Sequence, residues 1–275
     1  MGRLFPKCIP HIILMTYVIV VIYPLFFILT ASFKINSNII LHPWGLPKPL
    51  IIQNYIDALS NNLIGRYFWN SLSVATIATA LSILLAVTIA YALTRMKFPL
   101  FSKIVYGILL LALLIPPASL LIPLYIMVKD LGLYNSHLAL ILPYSSFGIP
   151  LTVFVIAAFL KSIPTELEEA GIMDGLSAYG LLGRIIIPLT LPTLVTVFIL
   201  NFLSNWNEYI MASLFLSNQL LRTLPVAIVS FSDKFNMNYG ALCASVMVSV
   251  IPVILIFIFL QKQIIEGVTS GSIKG

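Results

Sequence analysis

Four of the nine acidic side chains of this chain lie between Thr165 and Pro188, in the stretch TELEEAGIMDGLSAYGLLGRIIIP. They are Glu166, Glu168, Glu169 and Asp174. Carboxylates at this density form ion pairs with basic groups, and hydrophobic segments flank the stretch on both sides. The pattern therefore indicates a polar loop that docks another molecule, or else a well-capped interfacial helix that has no partner.

The first half of the stretch has the pattern of a helix N-terminus. Thr165 suits the N-cap position, and Glu168 lies three residues later, which predicts a capping box. Glu166 and Glu169 fall in the first turn, where negative charge is favoured by the helix dipole. We therefore expect a short helix that begins after Pro164.

Two glycines and a serine divide the stretch further. Gly171 and Gly175 are four residues apart on one helical face, where glycine permits close backbone approach or a chain reversal. Ser177 is suited to cap a second short helix. The sequence thus predicts two short helices with a bend near Gly175, lying across the membrane surface.

A second polar pattern follows in an apolar segment. Asn201, Ser204, Asn205 and Glu208 lie at i, i+3, i+4 and i+7, so they share one face of a helix. Polar groups in hydrocarbon are costly without partners. This face therefore either forms hydrogen bonds between helices or lines a solute path, in which amides and carboxylates suit sugar hydroxyls. Trp206 lies off the face and is expected to mark the outer membrane interface.

The composition is that of an all-α integral membrane protein. Hydrophobic residues make up 60% of the 275 residues, only 9% are charged, and the mean hydropathy is +1.06, whereas a soluble domain carries roughly 25% charged residues. Apolar runs of about 20 residues recur, the length that crosses roughly 30 Å of hydrocarbon. Long continuous runs predict helices, because the strands of a membrane barrel would alternate polar and apolar residues.

Six membrane spans are predicted, and basic residues orient them. The spans are Ile9–Phe33, Phe68–Thr94, Ile104–Val128, His137–Leu160, Ile185–Leu216 and Gly240–Gln261. Nine of the fifteen basic residues fall on one side and six on the other. By the positive-inside rule, this bias places both termini and the acidic stretch in the cytoplasm. The segment Lys34–Tyr67 is then an external loop, with a short helix expected at Asn54–Ser60.

Several classes of function are not supported by the sequence. The net charge of +6 comes from basic residues in short loops without a clustered basic stripe, which does not indicate nucleic-acid binding. Two distant cysteines and three histidines without ligand spacing predict neither a disulfide framework nor a metal site. No group of nucleophilic and acid–base residues indicates a membrane enzyme.

The energy source is expected to lie outside this chain. No GxxxxGK[ST] phosphate-binding loop occurs, and Glu208 is the only acidic side chain within the predicted spans. A proton-coupled carrier usually needs buried titratable relays, although sodium coupling through backbone carbonyls stays open. The simplest interpretation is a passive gate that an external motor drives through the acidic stretch.

The acidic stretch resembles the EAA loop of ABC importer permeases. That loop reads E-A-A, three residues, G, nine residues, I, one residue, L-P. Here Glu169-Ala170-Gly171 is followed after three residues by Gly175 and after nine more by Ile185-Ile186-Ile187-Pro188. Gly171 replaces the second alanine and Ile187 replaces the leucine.

The resemblance extends over nearly the whole chain, to the maltose-type carbohydrate permeases and to the shorter of their two permease subunits. The further matching motifs are Tyr23-Pro24, Ser32-Phe33-Lys34, Asn70-Ser71-Leu72, Ile122-Pro123-Leu124-Tyr125, Leu131-Gly132-Leu133, Trp206-Asn207-Glu208 and the tail from Gly267 to Gly275. The resemblance implies the type I ABC importer permease fold, with six transmembrane helices and a cytoplasmic coupling helix. It divides the chain into an N-terminal helix and external loop (1–67), a five-helix core (68–261) and a C-terminal tail (262–275).

The resemblance also implies a role for the chain in carbohydrate import. In that family the loop forms a coupling helix that seats in a cleft of an ATPase subunit, which binds ATP and Mg. The docking positions carried over are Glu169, Ala170, Gly171, Asp174 and Gly175. The implied partners are a second permease, two ATPase copies and an extracytoplasmic solute-binding protein, in a bacterial or archaeal cell membrane.

Two questions stay open at this stage. The candidate translocation path comprises Asn201, Asn205 and Glu208, and the residues do not settle whether they line it. The alternatives to a sugar permease are a permease of the same fold for another solute, such as glycerol phosphate, and a stand-alone secondary carrier.

Overall fold

The computed structural model of the chain describes residues 5–61, 63–96, 98–230 and 238–270. Within these ranges the fold is helical and contains no strand. The helices are α1 (Phe5–Ala31), α2 (Asn36–Leu41), α3 (Gln53–Ile56), α4 (Ile64–Arg95), α5 (Pro99–Leu114), α6 (Leu121–Asp130), α7 (Leu138–Leu160), α8 (Glu166–Met173), α9 (Ala178–Leu181), α10 (Ile187–Trp206), α11 (Ile210–Phe215), α12 (Leu224–Ser230) and α13 (Tyr239–Ser270).

Helices long and apolar enough to cross a membrane occur at five of the predicted spans. They cover Pro10–Ala31, Ile64–Arg95, Leu138–Leu160, Ala178–Trp206 and Tyr239–Lys262. The prediction of a multi-pass, all-α membrane protein is therefore confirmed.

The third predicted span, Ile104–Val128, is not one continuous helix. Helix α5 ends at Leu114, and the segment Pro117–Asp130 continues at an angle of 92° to it. The break lies at Pro116 and Pro117, where two successive residues lack an amide hydrogen. Ile115 has an extended backbone, with ψ 115°, as expected of a residue that precedes proline. We call this bend the elbow (residues 115–117).

The fifth predicted span, Ile185–Leu216, ends earlier than expected. Helix α10 stops at Trp206, and a separate short helix, α11, begins at Ile210. The carboxylate of Glu208 accepts the backbone amides of Met211 at 2.8 Å and Ala212 at 3.1 Å. Because those amides have no partner within α11 itself, Glu208 starts a new helix instead of continuing the old one.

A π-helical turn, Leu182–Ile186, connects the acidic stretch to α10. The amide of Ile187 donates to the carbonyl of Leu182, five residues earlier. Pro188 has no amide to donate to Arg184, so the usual i to i−4 ladder is interrupted at this point.

The predicted external loop contains more helix than expected. Its HPWGLPKP stretch is not helical, as predicted, and α3 with a π-helical turn at Asp57–Asn61 occupies the expected short helix. Helix α2 was not predicted. The buried Asn54 amide donates to the carbonyls of Ser32 and Lys34, both at 2.9 Å, and so satisfies backbone groups that follow the end of α1.

The chain groups into two compact units. One comprises Met1–Phe68 and Ala227–Pro252, and the other Trp69–Val226 and Val253–Gly275. The first boundary lies close to the predicted one, but the first unit also takes in residues that the prediction assigned to the core. The functional division of the chain stays a prediction.

The second unit contains both candidate sites and a core built around α4, α7 and α10. Small residues of α4 and branched residues of α7 interlock with residues that precede and belong to α10. This cluster includes Ala86, Ala90, Val153, Ile156, Leu160, Ile186 and Val197. The core therefore fixes the C-terminal ends of α4 and α7 beside the segment that connects the acidic stretch to α10.

Candidate functional site

The acidic stretch folds into two short helices, α8 and α9, which together with the π-helical turn we call the acidic hairpin (residues 165–186). Gly175 has a positive φ of 81°, and its amide donates to Ile172 at 2.9 Å. The next amide, Leu176, donates to Gly171 at 3.0 Å. This bonding is the Schellman motif, in which glycine ends a helix in the left-handed conformation. The predicted bend near Gly175 is confirmed.

Gly171 lies inside the hairpin. It is buried, and a Cβ atom there would lie 2.6 Å from Leu181 Cδ2 and 2.7 Å from Ile185 Cδ1. The close approach expected of this glycine is thus to the hairpin itself. Its assignment as a docking position stays a prediction.

One of the two predicted caps forms and the other does not. Ser177 is the N-cap of α9, and its hydroxyl accepts the amide of Gly180 at 3.3 Å. Thr165 has a helical backbone (φ −69°, ψ −23°) and makes no side-chain cap. The predicted capping box is therefore wrong, because the Glu168 side chain is engaged elsewhere.

The partner of Glu168 is Arg95, the last residue of α4. Arg95 Nε lies 2.7 Å from Glu168 Oε1, and both side chains are largely buried. The Arg95 guanidinium also donates to the carbonyls of Leu160 at 2.7 Å and Ile163 at 2.8 Å. This contact between α4, the end of α7 and α8 was not predicted. Sequence reasoning had counted Arg95 only as one of the charges that orient the spans.

The other predicted docking residues face outward. Glu169, Ala170, Asp174 and Gly175 are exposed. Two large side chains between and after them are also exposed: Met173 and Tyr179 are each 87% accessible. Neither was predicted, although two large side chains of this kind in a loop outside the spans were a usable signal.

The polar face of α10 splits into two environments. Asn201 is buried, and its amide donates to Thr152 Oγ1 and to the Val197 carbonyl, both at 2.8 Å. Its side-chain oxygen would lie 2.2 Å from a Cβ at Gly148, so only glycine leaves room for it on α7. Asn201 thus joins α10 to α7 within this chain.

Further along, the same face reaches a pocket. Asn205 donates to Thr79 Oγ1 on α4 at 3.1 Å, and the Tyr144 hydroxyl on α7 donates to Glu208. The pocket has a volume of about 170 Å³. Its lining includes Tyr144, Phe147, Ser204, Asn205, Glu208 and Pro117 of the elbow.

The expectation for Trp206 is wrong. Its side chain is only 3% exposed and stacks on Phe202, with ring centroids 5.7 Å apart. Because α10 ends at this residue, the indole packs inside the chain and does not mark an exposed interface.

Among the residues that the structure describes, no group of three His, Cys, Asp or Glu side chains could hold a metal ion.

Comparison with known proteins gives the family. Residues 78–269 match the family described as "Binding-protein-dependent transport system inner membrane component". The chain belongs to this family of membrane permeases. The predicted resemblance to ABC importer permeases is thereby confirmed at the level of the family. The alternative of a stand-alone secondary carrier is not favoured.

The permease has relatives of similar length. It is 36% identical over 265 residues to the "Probable ABC transporter permease protein YurM" of Bacillus subtilis, which covers 96% of this chain and 87% of the relative. It is 32% identical over 268 residues to the "Diacetylchitobiose uptake system permease protein NgcG" of Streptomyces coelicolor, with 97% and 88% covered.

The fold of the permease is found in a solved transporter. It matches a chain of a bacterial ABC transporter involved in the import of the acidic polysaccharide alginate, with a TM-score of 0.82 and 21% sequence identity. The match covers 94% of this permease and 96% of that chain. The predicted ABC importer permease fold is thus confirmed. In this family the permease is the membrane subunit, not an enzyme.

Proposed function

We propose that this permease forms half of the translocation path of an ATP-driven carbohydrate importer, and that a separate ATPase docks on the acidic hairpin. The observation that carries the docking proposal is the surface of α8 and α9. Met173 and Tyr179 are each 87% exposed on a hairpin that also presents Glu169 and Asp174. Large exposed side chains beside charged ones are typical of protein interaction surfaces.

The charges of the hairpin indicate the chemistry of the partner. Glu168 is paired with Arg95 inside the chain, whereas Glu166, Glu169 and Asp174 are exposed. A cleft with basic groups on its rim and an apolar floor would complement this surface. ATP and Mg are bound by that partner, since the permease sequence contains no phosphate-binding loop.

A carbohydrate is the solute that the pocket and the relatives favour. The pocket combines the amide of Asn205, the hydroxyl of Ser204 and the rings of Tyr144 and Phe147, and such sets of polar groups among aromatic walls fix small polar ligands. The relative from Streptomyces coelicolor takes its name from diacetylchitobiose uptake. We therefore place Asn205 and Glu208 at the solute path, and give Asn201 a supporting position behind them.

The partners of this permease in the proposed importer are a second permease, two ATPase copies and an extracytoplasmic solute-binding protein. Both termini and the acidic hairpin face the cytoplasm, as the distribution of basic residues predicts. Four of the counted basic residues lie outside the described residues: Arg3, Lys97, Lys234 and Lys274.

The docking proposal is tested by charge reversal on the hairpin. The permease is co-expressed with the subunits encoded beside it, and the complex is purified through a tag on the permease. Glu169→Lys is expected to reduce the yield of co-purified ATPase by about tenfold or more, because it places like charges at the interface. Gly175→Trp should do the same, since a side chain at φ 81° distorts the turn.

The matched control is Asp130→Lys, which makes the same charge change at an exposed position at the end of α6. It should leave the ATPase yield unchanged. Normal ATPase yield in both hairpin variants, with the permease inserted in the membrane as usual, would contradict the docking assignment.

A further inference from the structure

The Arg95 guanidinium brings three helix ends together. Its Nε atom lies 2.7 Å from Glu168 Oε1 in α8. Its terminal amino group donates to the carbonyls of Leu160 at 2.7 Å and Ile163 at 2.8 Å, at and beyond the end of α7. Arg95 itself is the last residue of α4. We call this arrangement the Arg95 node.

The Arg95 contacts add an ion pair with Glu168 and two hydrogen bonds at the end of α7, where the Leu160 carbonyl also accepts the Ile163 amide at 3.1 Å. The last carbonyls of α7 have no amide within their own helix, and a cation at this end is favoured by the helix dipole. Lysine has one compact ammonium, whereas the planar fork of arginine can engage a carboxylate and two carbonyls together. The node therefore depends on arginine and not on positive charge alone.

The node is largely buried. The Arg95 and Glu168 side chains are 12% and 10% exposed, and Tyr91 Oη lies 3.5 Å from Glu168 Oε2. The adjoining cluster contains Tyr91, Leu160 and Ile163. A charge pair enclosed in this way is weakly screened, and removing one partner leaves the other buried and unpaired.

We propose that Arg95 is a positioning residue that makes α8 and the C-terminal ends of α4 and α7 move as one body. Helix α8 is otherwise connected to the spans through the covalent chain, to α7 through residues 161–165 and to α10 through α9 and the π-helical turn. The node adds a direct connection to α4 and a second connection to the end of α7. A displacement of α8 by a docked ATPase would then reach α4 and α7 together. This inference depends on the docking proposal above.

The test measures whether α8 stays fixed to α4 when the ATPase moves. Spin labels are attached at Thr88→Cys on α4 and Leu167→Cys on α8, both exposed positions, in a complex whose native cysteines are serine. Distances are measured by pulsed electron spin resonance in the nucleotide-free complex and after trapping with ATP, Mg and vanadate. With Arg95 present, we expect one narrow distance distribution that is the same in both states.

Arg95→Gln is expected to broaden that distribution and to shift it on trapping, while the ATPase co-purifies at the parent yield. The distribution for Arg95→Lys should fall between those of the parent and of Arg95→Gln, because lysine keeps the charge but lacks the planar guanidinium group. Lys103→Gln removes the same charge from an exposed side chain and should match the parent. A residue that served folding alone would lower the yield of the complex without changing the distance in the molecules that assemble.

The two proposals can fail separately. An ATPase that does not co-purify with the parent permease would contradict the docking proposal, whatever Arg95 does. An ATPase that co-purifies, with Arg95→Gln giving the parent distribution in both states, would overturn the role of Arg95 and leave the docking proposal intact.

Discussion

Polar side chains of α10 and of the turn that follows it meet quite different surroundings. The buried amide of Asn201 is bonded to Thr152 and fitted against Gly148. The carboxylate of Glu208 accepts two amides of α11 and the Tyr144 hydroxyl. Asn205 makes one bond to Thr79 and lines the pocket. It is therefore the residue of this group whose replacement should change transport with the least effect on folding.

We predict that Asn205→Leu lowers sugar uptake severalfold in the assembled importer while ATPase yield stays normal. The change removes an amide from the pocket and leaves the Thr79 hydroxyl unpaired, a loss of about 1–3 kcal/mol. Uptake into proteoliposomes and co-purification are measured on the same preparation. Asn207→Leu is the matched control, because that exposed amide bonds to the Leu203 carbonyl of the preceding turn. Uptake in Asn205→Leu equal to that of the control would remove Asn205 from the solute path.

Residue patterns predicted the local contacts and failed for the distant ones. The Ser177 cap and the Gly175 turn were predicted correctly because the residues that form each of them lie within a few positions of one another in the sequence. The Thr165 capping box failed because Thr165 has a helical backbone and because the Glu168 side chain pairs with Arg95, more than seventy positions earlier in the chain. A single sequence gives the charges of both residues but nothing that pairs them.

At the scale of elements, the acidic hairpin is held together by its own packing. The Schellman motif at Gly175 turns the chain, and Gly171 lets Leu181 and Ile185 approach the α8 backbone. The hairpin keeps its apolar contacts inside and presents Met173 and Tyr179 outside. Its shape therefore does not depend on the partner that we propose for it.

Gly171→Leu is predicted to destabilise the permease by about 1–3 kcal/mol, because overpacking displaces Leu181 and Ile185. Gly171→Ala should cost less, since the two nearest atoms are the ends of side chains that can shift. Thermal unfolding of the purified permease in detergent measures both. Gly183→Leu is the control, because a Cβ there meets nothing within 4 Å. Equal melting temperatures for Gly171→Leu and Gly183→Leu would show that the hairpin is not packed as described.

The spans were predicted well in length and less well in continuity. Hydrophobic runs of the required length identify helices, and α4 and α7 begin and end close to their predicted limits. Proline removes hydrogen bonds without setting an angle, so the 92° elbow at Pro116 and Pro117 could not be anticipated from the sequence. The early end of α10 was also missed, since it depends on Glu208 capping α11.

At the scale of the whole molecule, the permease is a membrane subunit whose sequence contains no GxxxxGK[ST] phosphate-binding loop. In the function that we propose, energy enters through contact with a separate ATPase subunit. The acidic hairpin combines three features suited to that contact: exposed carboxylates, exposed large side chains, and a buried ion pair that joins it to α4.

Binding of the ATPase to the acidic hairpin is tested most directly by photo-crosslinking from Tyr179. The amino acid introduced at this exposed position carries a benzophenone, which is aromatic like the tyrosine side chain that it replaces. The same group at Leu46, which is 68% exposed in the loop between α2 and α3, is the control. Irradiation of the assembled complex is predicted to join the ATPase to the permease from position 179 and not from position 46. Capture of the ATPase from position 46 and not from position 179 would contradict docking of the ATPase on the acidic hairpin.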